Sequence, residues 1–276
     1  MSQTVVLTGM VLNAMPIGDY DKRITILTRE RGKITAFARG ARRPNSQLLA
    51  PTNPFSFGEF ELFEGRSSYT LTKANISNYF RDLADDYEKA YMGFYFMEFA
   101  DYFCQENNDE KEMLKLLYMS LRALESTAFD KKLVRVIFEL KSISINGQGP
   151  DVFRCNVCRK QNNLLLFSVE KAGVFCQECS SKINGMKVNS DTIYTMQYII
   201  SSEITKIARL RSSAASSSKC SFSIIAPVGL LGNGKMRSFV LSVIFSLSCS
   251  GVRRKSSSSF VSIVTGTPPA RRVIGS

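Results

Sequence analysis

The chain has 276 residues, of which 44% are hydrophobic, 22% charged and 11% aromatic, enough apolar material for one large domain or two to three small ones. It contains no His and no Trp, which excludes imidazole acid–base chemistry and imidazole metal ligands. A formal net charge of +12 points to a polyanionic partner. No apolar run reaches the length of a membrane span, and Met1–Val6 lacks the features of a signal peptide, so the expected location is the cytoplasm.

The charge is unevenly placed. Residues 1–204 carry 25 Lys+Arg against 24 Asp+Glu, whereas residues 205–276 carry 11 against none. Within the body, residues 1–80 hold 10 basic and 6 acidic side chains and residues 81–204 hold 15 and 18. The first 80 residues are therefore the basic module.

In chain order, Val5–Leu12 is apolar and β-branched, and Gly9 is placed for a bulge or bend. Arg23–Thr28 and Ile34–Ala38 flank a glycine-containing turn and predict a hairpin. Phe55–Phe63 and Ser68–Thr72 follow, separated by Glu64-Gly65-Arg66. Five short strands in about 75 residues suit a small closed barrel of the OB-fold type, and an SH3-like barrel fits nearly as well. From Asp82 the period becomes helical. Tyr87, Tyr91, Phe94, Tyr95, Glu98 and Phe99 mark a helix over Asp82–Cys104, and its aromatics are expected in the core. A second helix is predicted from Asp109, with Glu112 placed for a capping box and Met113, Leu116, Leu117, Leu121 and Leu124 as its apolar stripe. A third covers Lys131–Asn146, burying Leu133, Val136, Ile137, Leu140 and Ile143, with Gly147 as its stop.

The expected fold class is thus α+β and multidomain. A small β-barrel over residues 1–80 precedes a helical domain over 81–204 that carries a metal hairpin at about 151–185. Residues 205–276 differ in kind, with 18 Ser and no carboxylate. Three readings stay open for them: a basic disordered tail, a polybasic nucleic-acid arm, or a reading frame shifted near Ile204. The abrupt loss of every carboxylate after a well-mixed body favours the last.

Cys155-Asn156-Val157-Cys158 and Cys176-Gln177-Glu178-Cys179, seventeen residues apart, have the spacing of two knuckles presenting four thiolates to one zinc ion. Four thiolates leave no open coordination position, so this zinc would be structural. Disulfides and redox chemistry are the rivals, and iron competes with zinc for the site. Cys104, Cys220 and Cys249 have no partner pattern.

Arg39-Gly40-Ala41-Arg42-Arg43-Pro44 ends a predicted strand, and with Lys22, Arg23, Arg29, Arg31 and Lys33 it clusters charge on barrel loops. Small barrels bind single strands by pairing a cationic groove with aromatic platforms, for which Tyr20, Phe37 and Tyr69 are candidates; core packing is the expectation for Phe37. Gly40 is placed to let backbone approach a phosphate. The candidate nucleic-acid contacts are Lys22, Arg23, Lys33, Arg39, Arg42 and Arg43. No phosphate loop, dinucleotide fingerprint or nucleophile elbow occurs, and the pairs Glu59/Glu61 and Asp85/Asp86 read as solvated faces, so no enzyme is expected.

Gly18-Asp19-Tyr20-Asp21-Lys22, Thr28-Arg29-Glu30-Arg31-Gly32-Lys33 and Ala38-Arg39-Gly40-Ala41-Arg42-Arg43 together resemble the N-terminal domain of the bacterial recombination mediator family RecO. The order of small barrel, helical segment and CxxC…CxxC insert is similar too, over about residues 1–204. The resemblance implies an OB-fold joined to a helical domain with a zinc site. It implies binding of single- and double-stranded DNA, annealing of complementary strands, and help in loading the RecA recombinase onto coated single strands. It also implies contacts with RecR and with the acidic C-terminal tail of the single-strand-binding protein, in a cytoplasmic, nucleoid-associated setting. On this resemblance the barrel-loop contacts are Arg39, Arg42 and Arg43, and the zinc ligands are Cys155, Cys158, Cys176 and Cys179. The family ends in further amphipathic helices, a pattern from which this chain departs after Ile204. A zinc-ribbon protein–protein adaptor and an RNA-binding barrel without annealing activity are the alternatives.

Overall fold

The computed structural model describes residues 3–66 and 68–204. The three readings of residues 205–276, and Cys220 and Cys249, fall outside the described residues.

Five strands, β1 (Gln3–Ile17), β2 (Asp21–Thr28), β3 (Gly32–Ala38), β4 (Phe57–Glu64) and β5 (Tyr69–Asn78), close into a barrel in the order β1-β2-β3-β5-β4. Closure depends on the length of β1. Its first half pairs antiparallel with β4 (Gln3↔Glu64 to Met10↔Phe57) and its second half with β2 (Gly9↔Thr28 to Ile17↔Asp21). A short parallel contact, Ala36↔Tyr69 and Phe37↔Thr70, joins β3 to β5. Gly9 lies where β1 belongs to both pairings, but the irregularity in register falls between Val11 and Asn13. The glycine is needed for closeness instead: a Cβ there would lie 2.5 Å from the Leu27 carbonyl oxygen.

Side-chain alternation sends Ile24, Ile26, Ile34, Phe60, Leu62 and Leu71 into the barrel interior. Met10, Leu12 and Leu27 point the other way and join the core of the helical part. The outer wall of β1 and β2 is therefore buried against helices, and the two parts share apolar packing.

A 3-10 turn at Arg81–Leu83 leads into α1 (Tyr87–Phe103), followed by α2 (Lys111–Glu125) and α3 (Lys131–Ile145). Asp86 starts α1 five residues later than expected, because its carboxylate accepts from the Glu88 and Lys89 N–H groups. Asp130 caps α3 in the same way, accepting from Lys132 and Leu133. The expected capping box of α2 does not form. Its N-cap is Glu110, with no side-chain cap bond; that carboxylate is buried and accepts from Gln105 N–H and Asn108 Nδ2 instead.

The predicted stripe of α2 is buried throughout. The reading of α1 needs correction: Tyr87, Tyr91 and Phe94 are exposed, and the buried face is Met92, Gly93, Phe96, Met97, Phe99 and Ala100. Aromatic residues occur all round this helix, so periodicity alone could not choose the buried side. Contact chooses it: Phe96 stacks on Phe138 of α3 at 4.0 Å, and Gly93 lies beneath the ring of Phe55. On α3, Leu133 and Ile137 are half-buried, while Val134 and Phe138 take the inner positions.

After α3, which runs to Ile145 with Gly147 just beyond, come β6 (Leu164–Ser168) and β7 (Gly173–Cys176), the predicted hairpin. Two elements were not predicted: β8 (Met186–Lys187), which pairs with β6, and α4 (Ser190–Ser201). The signal for α4 was present in Asn189, whose Oδ1 accepts from Thr192 N–H at 2.7 Å, ahead of Ile193, Met196 and Ile199. No helix among the described residues is long and apolar enough to cross a membrane.

Candidate nucleic-acid interface and metal centre

The predicted cations occupy two ends of the barrel. Lys22 and Arg23 stand opposite Ala38 and Phe37 on the β2–β3 ladder, and Arg39, Arg42 and Arg43 follow directly after β3. Lys33 is the second residue of β3, six residues before Arg39, a distance of about 20 Å along an extended strand. Its ammonium faces the helices, donating to the Asp101 carbonyl oxygen at 2.5 Å and pairing with Asp101 Oδ1 at 3.2 Å. Arg31 is likewise engaged, with Glu64 and the Tyr69 hydroxyl. That hairpin tip docks on the α1–α2 connection through Lys33 N–H to the Gln105 carbonyl and Asn107 N–H to the Arg31 carbonyl. The structure thus separates Lys33, Arg31 and Tyr69 from the Arg39–Arg43 end.

At that end the groups converge. Arg42 donates its backbone N–H to the Tyr20 carbonyl at 2.8 Å and its guanidinium to the Gly18 carbonyl at 3.1 Å, tying the β1–β2 and β3–β4 loops together. Arg43 lies over the Tyr20 ring, 5.3 Å from its centroid. Gly40 has a φ of +64°, which explains the glycine, but its N–H already donates to Asp21 Oδ1 at 2.7 Å; that N–H is thus engaged within the fold. Lys22 is partly enclosed: its ammonium donates to Asn53 Oδ1 at 2.8 Å and Thr52 Oγ1 at 3.1 Å, and burial followed by the charge of Arg42 lowers its pKa. Its main structural role is to hold the loop after Arg43.

Phe37, expected in the core, belongs to neither core cluster. The alternation of β3 puts Ile34, Ala36 and Ala38 inside and Lys33, Thr35 and Phe37 outside. Phe37 therefore shares the outward face of β2–β3 with its cross-strand neighbour Arg23, which is exposed. The Arg23 guanidinium lies against Met15 Sδ of β1 at 3.3 Å. Cation and half-buried ring thus share one face at one register position, with Phe37 two residues before Arg39; such a face can stack an unpaired base and hold its phosphate.

The second site is compact. The Sγ atoms of Cys155, Cys158, Cys176 and Cys179 all lie within 4.8 Å of one another, and Cys158 and Cys176 approach to 3.5 Å. A tetrahedral ion with bonds of about 2.3 Å needs sulfurs roughly 3.8 Å apart, so the donor set fits a metal ion. None of the four is in a disulfide. Each knuckle is shaped by its own backbone: Arg159 N–H donates to the Cys155 carbonyl at 2.9 Å and Cys179 N–H to the Cys176 carbonyl at 3.1 Å. Burial opposes ionisation of Cys155, but N–H groups of Cys176, Cys158 and Val157 outweigh it and bring its pKa down to about 6. Hydrogen bonding to Cys176, then burial, pushes Cys179 up to about 12. One thiolate forms readily while Cys158 and Cys179 resist, as expected for a cluster whose full charge awaits a cation. Cys104 is remote from this cluster: it is buried, with its thiol pKa pushed up by burial and by Glu110.

These features define a class: an α+β protein in which a small barrel with one cationic, aromatic end is docked on a helical body carrying a cluster of four thiols able to hold a metal ion. A family model described as "Recombination protein O N terminal" matches residues 1–80, and one described as "Recombination protein O C terminal" matches residues 84–223. The chain is 30% identical over 202 residues to the DNA repair protein RecO of Acetivibrio thermocellus, covering 72% of this chain and 80% of that protein. It is 31% identical over 208 residues to the DNA repair protein RecO of Symbiobacterium thermophilum, covering 74% and 82%. For the DNA repair protein RecO of Alkaliphilus metalliredigens the identity is 29% over 205 residues, covering 74% and 83%. The chain belongs to the Recombination protein O family. The match reaches residue 223, so the likeness continues past Ile204, where the charge balance changes.

Proposed function

We propose that the chain is a non-enzymatic DNA-binding mediator of recombinational repair, with an OB-type barrel as its strand-binding module. The observation that carries this reading is the outward β2–β3 face, where Arg23 and Phe37 share a register position at the strand ends that lead into Tyr20, Arg39, Arg42 and Arg43, with Arg42 and Arg43 gathered on Tyr20. The strand order and the parallel β3–β5 contact support the OB assignment. Phosphates bind the guanidiniums and release counterions, while bases stack on Phe37 and Tyr20. Holding two strands on cationic surfaces lowers their mutual repulsion, which allows annealing of complementary strands without a nucleotide cofactor. Loading of RecA onto coated single strands, and contacts with RecR and with the acidic tail of the single-strand-binding protein, belong to the same reading. The metal is zinc, held by Cys155, Cys158, Cys176 and Cys179 as a structural staple, and the protein works in the cytoplasm, associated with the nucleoid.

The test is single-strand DNA binding against salt, using the full chain and its Arg42→Glu/Arg43→Glu variant. On a single strand, log affinity falls with log salt by roughly 0.7 per phosphate neutralised. The variant is expected to bind more weakly and with a shallower slope. An unchanged slope removes this loop from the interface. Annealing of complementary oligonucleotides separates a mediator, which accelerates duplex formation, from an adaptor, which leaves the rate unchanged.

A further inference from the structure

The outward stripe of α1 is unlike the rest of the surface. Tyr87, Glu88, Tyr91, Phe94, Glu98 and Tyr102 recur at helical spacing, and the aromatic members are 95%, 67%, 51% and 48% exposed in chain order. The row is about 22 Å long at 1.5 Å per residue. It presents four aromatic rings and two carboxylates, with no cation of its own. Lys131 pairs with Glu88 at 2.9 Å, whereas Glu98 has no ion partner among the described residues. An exposed apolar row of this extent on a soluble fold marks a contact surface.

The chemistry of the row selects its occupant. Carboxylates beside the rings repel nucleic acid and acidic peptides, and they favour a cation that can lie flat on a ring while pairing with an oxygen. Arginine does both. The described part of the molecule already uses this contact four times, with Arg31, Arg43, Arg81 and Arg135 over Tyr69, Tyr20, Tyr79 and Tyr95. Tyr87, Tyr91 and Tyr102 have no such partner among the described residues.

We infer that the aromatic–acidic stripe of α1 is the docking surface for the chain's own basic segment, residues 205–276. That segment carries 11 Lys+Arg and no Asp or Glu, including the pairs Arg253-Arg254 and Arg271-Arg272. The 49 residues from Ile204 to Arg253 are ample to reach any face of the helical body at roughly 3.3 Å each when extended. Single contacts of this type are weak. In cis, however, the effective concentration is of millimolar order, so the contact is populated where a free peptide of the same sequence is not. This inference does not rest on the nucleic-acid reading of the barrel.

The test places a benzophenone amino acid at the exposed position Tyr91 of the full chain, followed by irradiation and peptide mapping. The expected result is an intramolecular cross-link to peptides within residues 205–276. Its yield should fall roughly fivefold or more in 0.5 M salt, where charges are screened within a few ångströms. A Glu98→Lys change in the same background, with the helical circular-dichroism signal checked for retained fold, should lower the yield too. Cross-links confined to residues 3–204, cross-links to a second copy, or a yield indifferent to salt and to Glu98→Lys would each overturn the inference.

Discussion

Arg23 lies directly across the β2–β3 ladder from Phe37, and both side chains face away from the barrel interior. On the function proposed above, a guanidinium and a ring at one register position would supply a phosphate contact and a base contact from two residues. Phe37→Ala is expected to weaken single-strand DNA binding about ten- to a hundredfold, the range of one lost stacking contact. Thermal stability should change little, since the ring packs in neither core. Unchanged affinity in a filter-binding titration would remove this face from the interface.

Lys22 sits one residue away and acts differently, because its ammonium is held by Asn53 and Thr52. Lys22→Ala is expected to lower the melting temperature by a few degrees, at about 2–4 °C per kcal/mol in a chain of this size. Arg43→Ala should leave the melting temperature near that of the parent and weaken DNA binding. Equal melting temperatures for the two variants would show that the Lys22 bonds hold the loop only weakly.

The four thiols predict one zinc ion per chain by elemental analysis of protein purified without chelator. Cys176 is buried and lies in both the β6–β7 hairpin and the thiol cluster. Cys176→Ser is therefore expected to lose the metal and to open residues 151–188 to limited proteolysis, while the barrel remains resistant. Full metal content in that variant would reject the four-thiol assignment.

Within α3 a charge pair closes on the buried Glu139, and Tyr95 ties it to α1. Arg135 Nε donates to Glu139 Oε1 at 2.7 Å, and the Tyr95 hydroxyl donates to the same oxygen at 2.8 Å. Burial pushes the Glu139 carboxyl up, against the pull of Arg135. Arg135→Ala strands that carboxylate and should cost about 3–5 kcal/mol in chemical denaturation. Combining Arg135→Met, Glu139→Leu and Tyr95→Phe should recover most of the loss, because no buried polar group is left without its partner. Simple additivity of the single-site losses would contradict this account.

Asp86 gives a pH signature. The Lys131 ammonium, then the Lys89 N–H, hold its carboxyl below the usual aspartate range. A depressed carboxyl stabilises the fold above its unfolded value of about 3.9, and the contribution disappears as pH falls through the lower folded value. Asp86→Asn retains a good helix cap and abolishes the titration. The melting-temperature gap between parent and variant should be present at pH 6 and shrink towards zero below about pH 3. A gap independent of pH would assign the effect to capping geometry.

The barrel strands were legible because alternation is a two-residue pattern that Ile24, Ile26, Ile34 and Ala36 obey, and the thiol site because two CxxC spacings specify one tetrahedral donor set. The buried side of α1 was not legible. With rings all round the helix, only the packing of Phe96 on Phe138 and of Gly93 under Phe55 decides that Tyr87, Tyr91 and Phe94 face outward. The cation cluster was legible as composition but not as geometry.

The sequence by itself determined the order of elements as far as the β6–β7 hairpin, the cationic loops and the four clustered thiols, since these depend on local periodicity and on which side chains are present. Tertiary structure alone decided which cations act together. Strand β3 separates Lys33 from Arg39 by its own length, and the docked helices claim Lys33 through Asp101. Charge placed in one stretch of chain becomes a site only where the closed barrel brings it onto a single face.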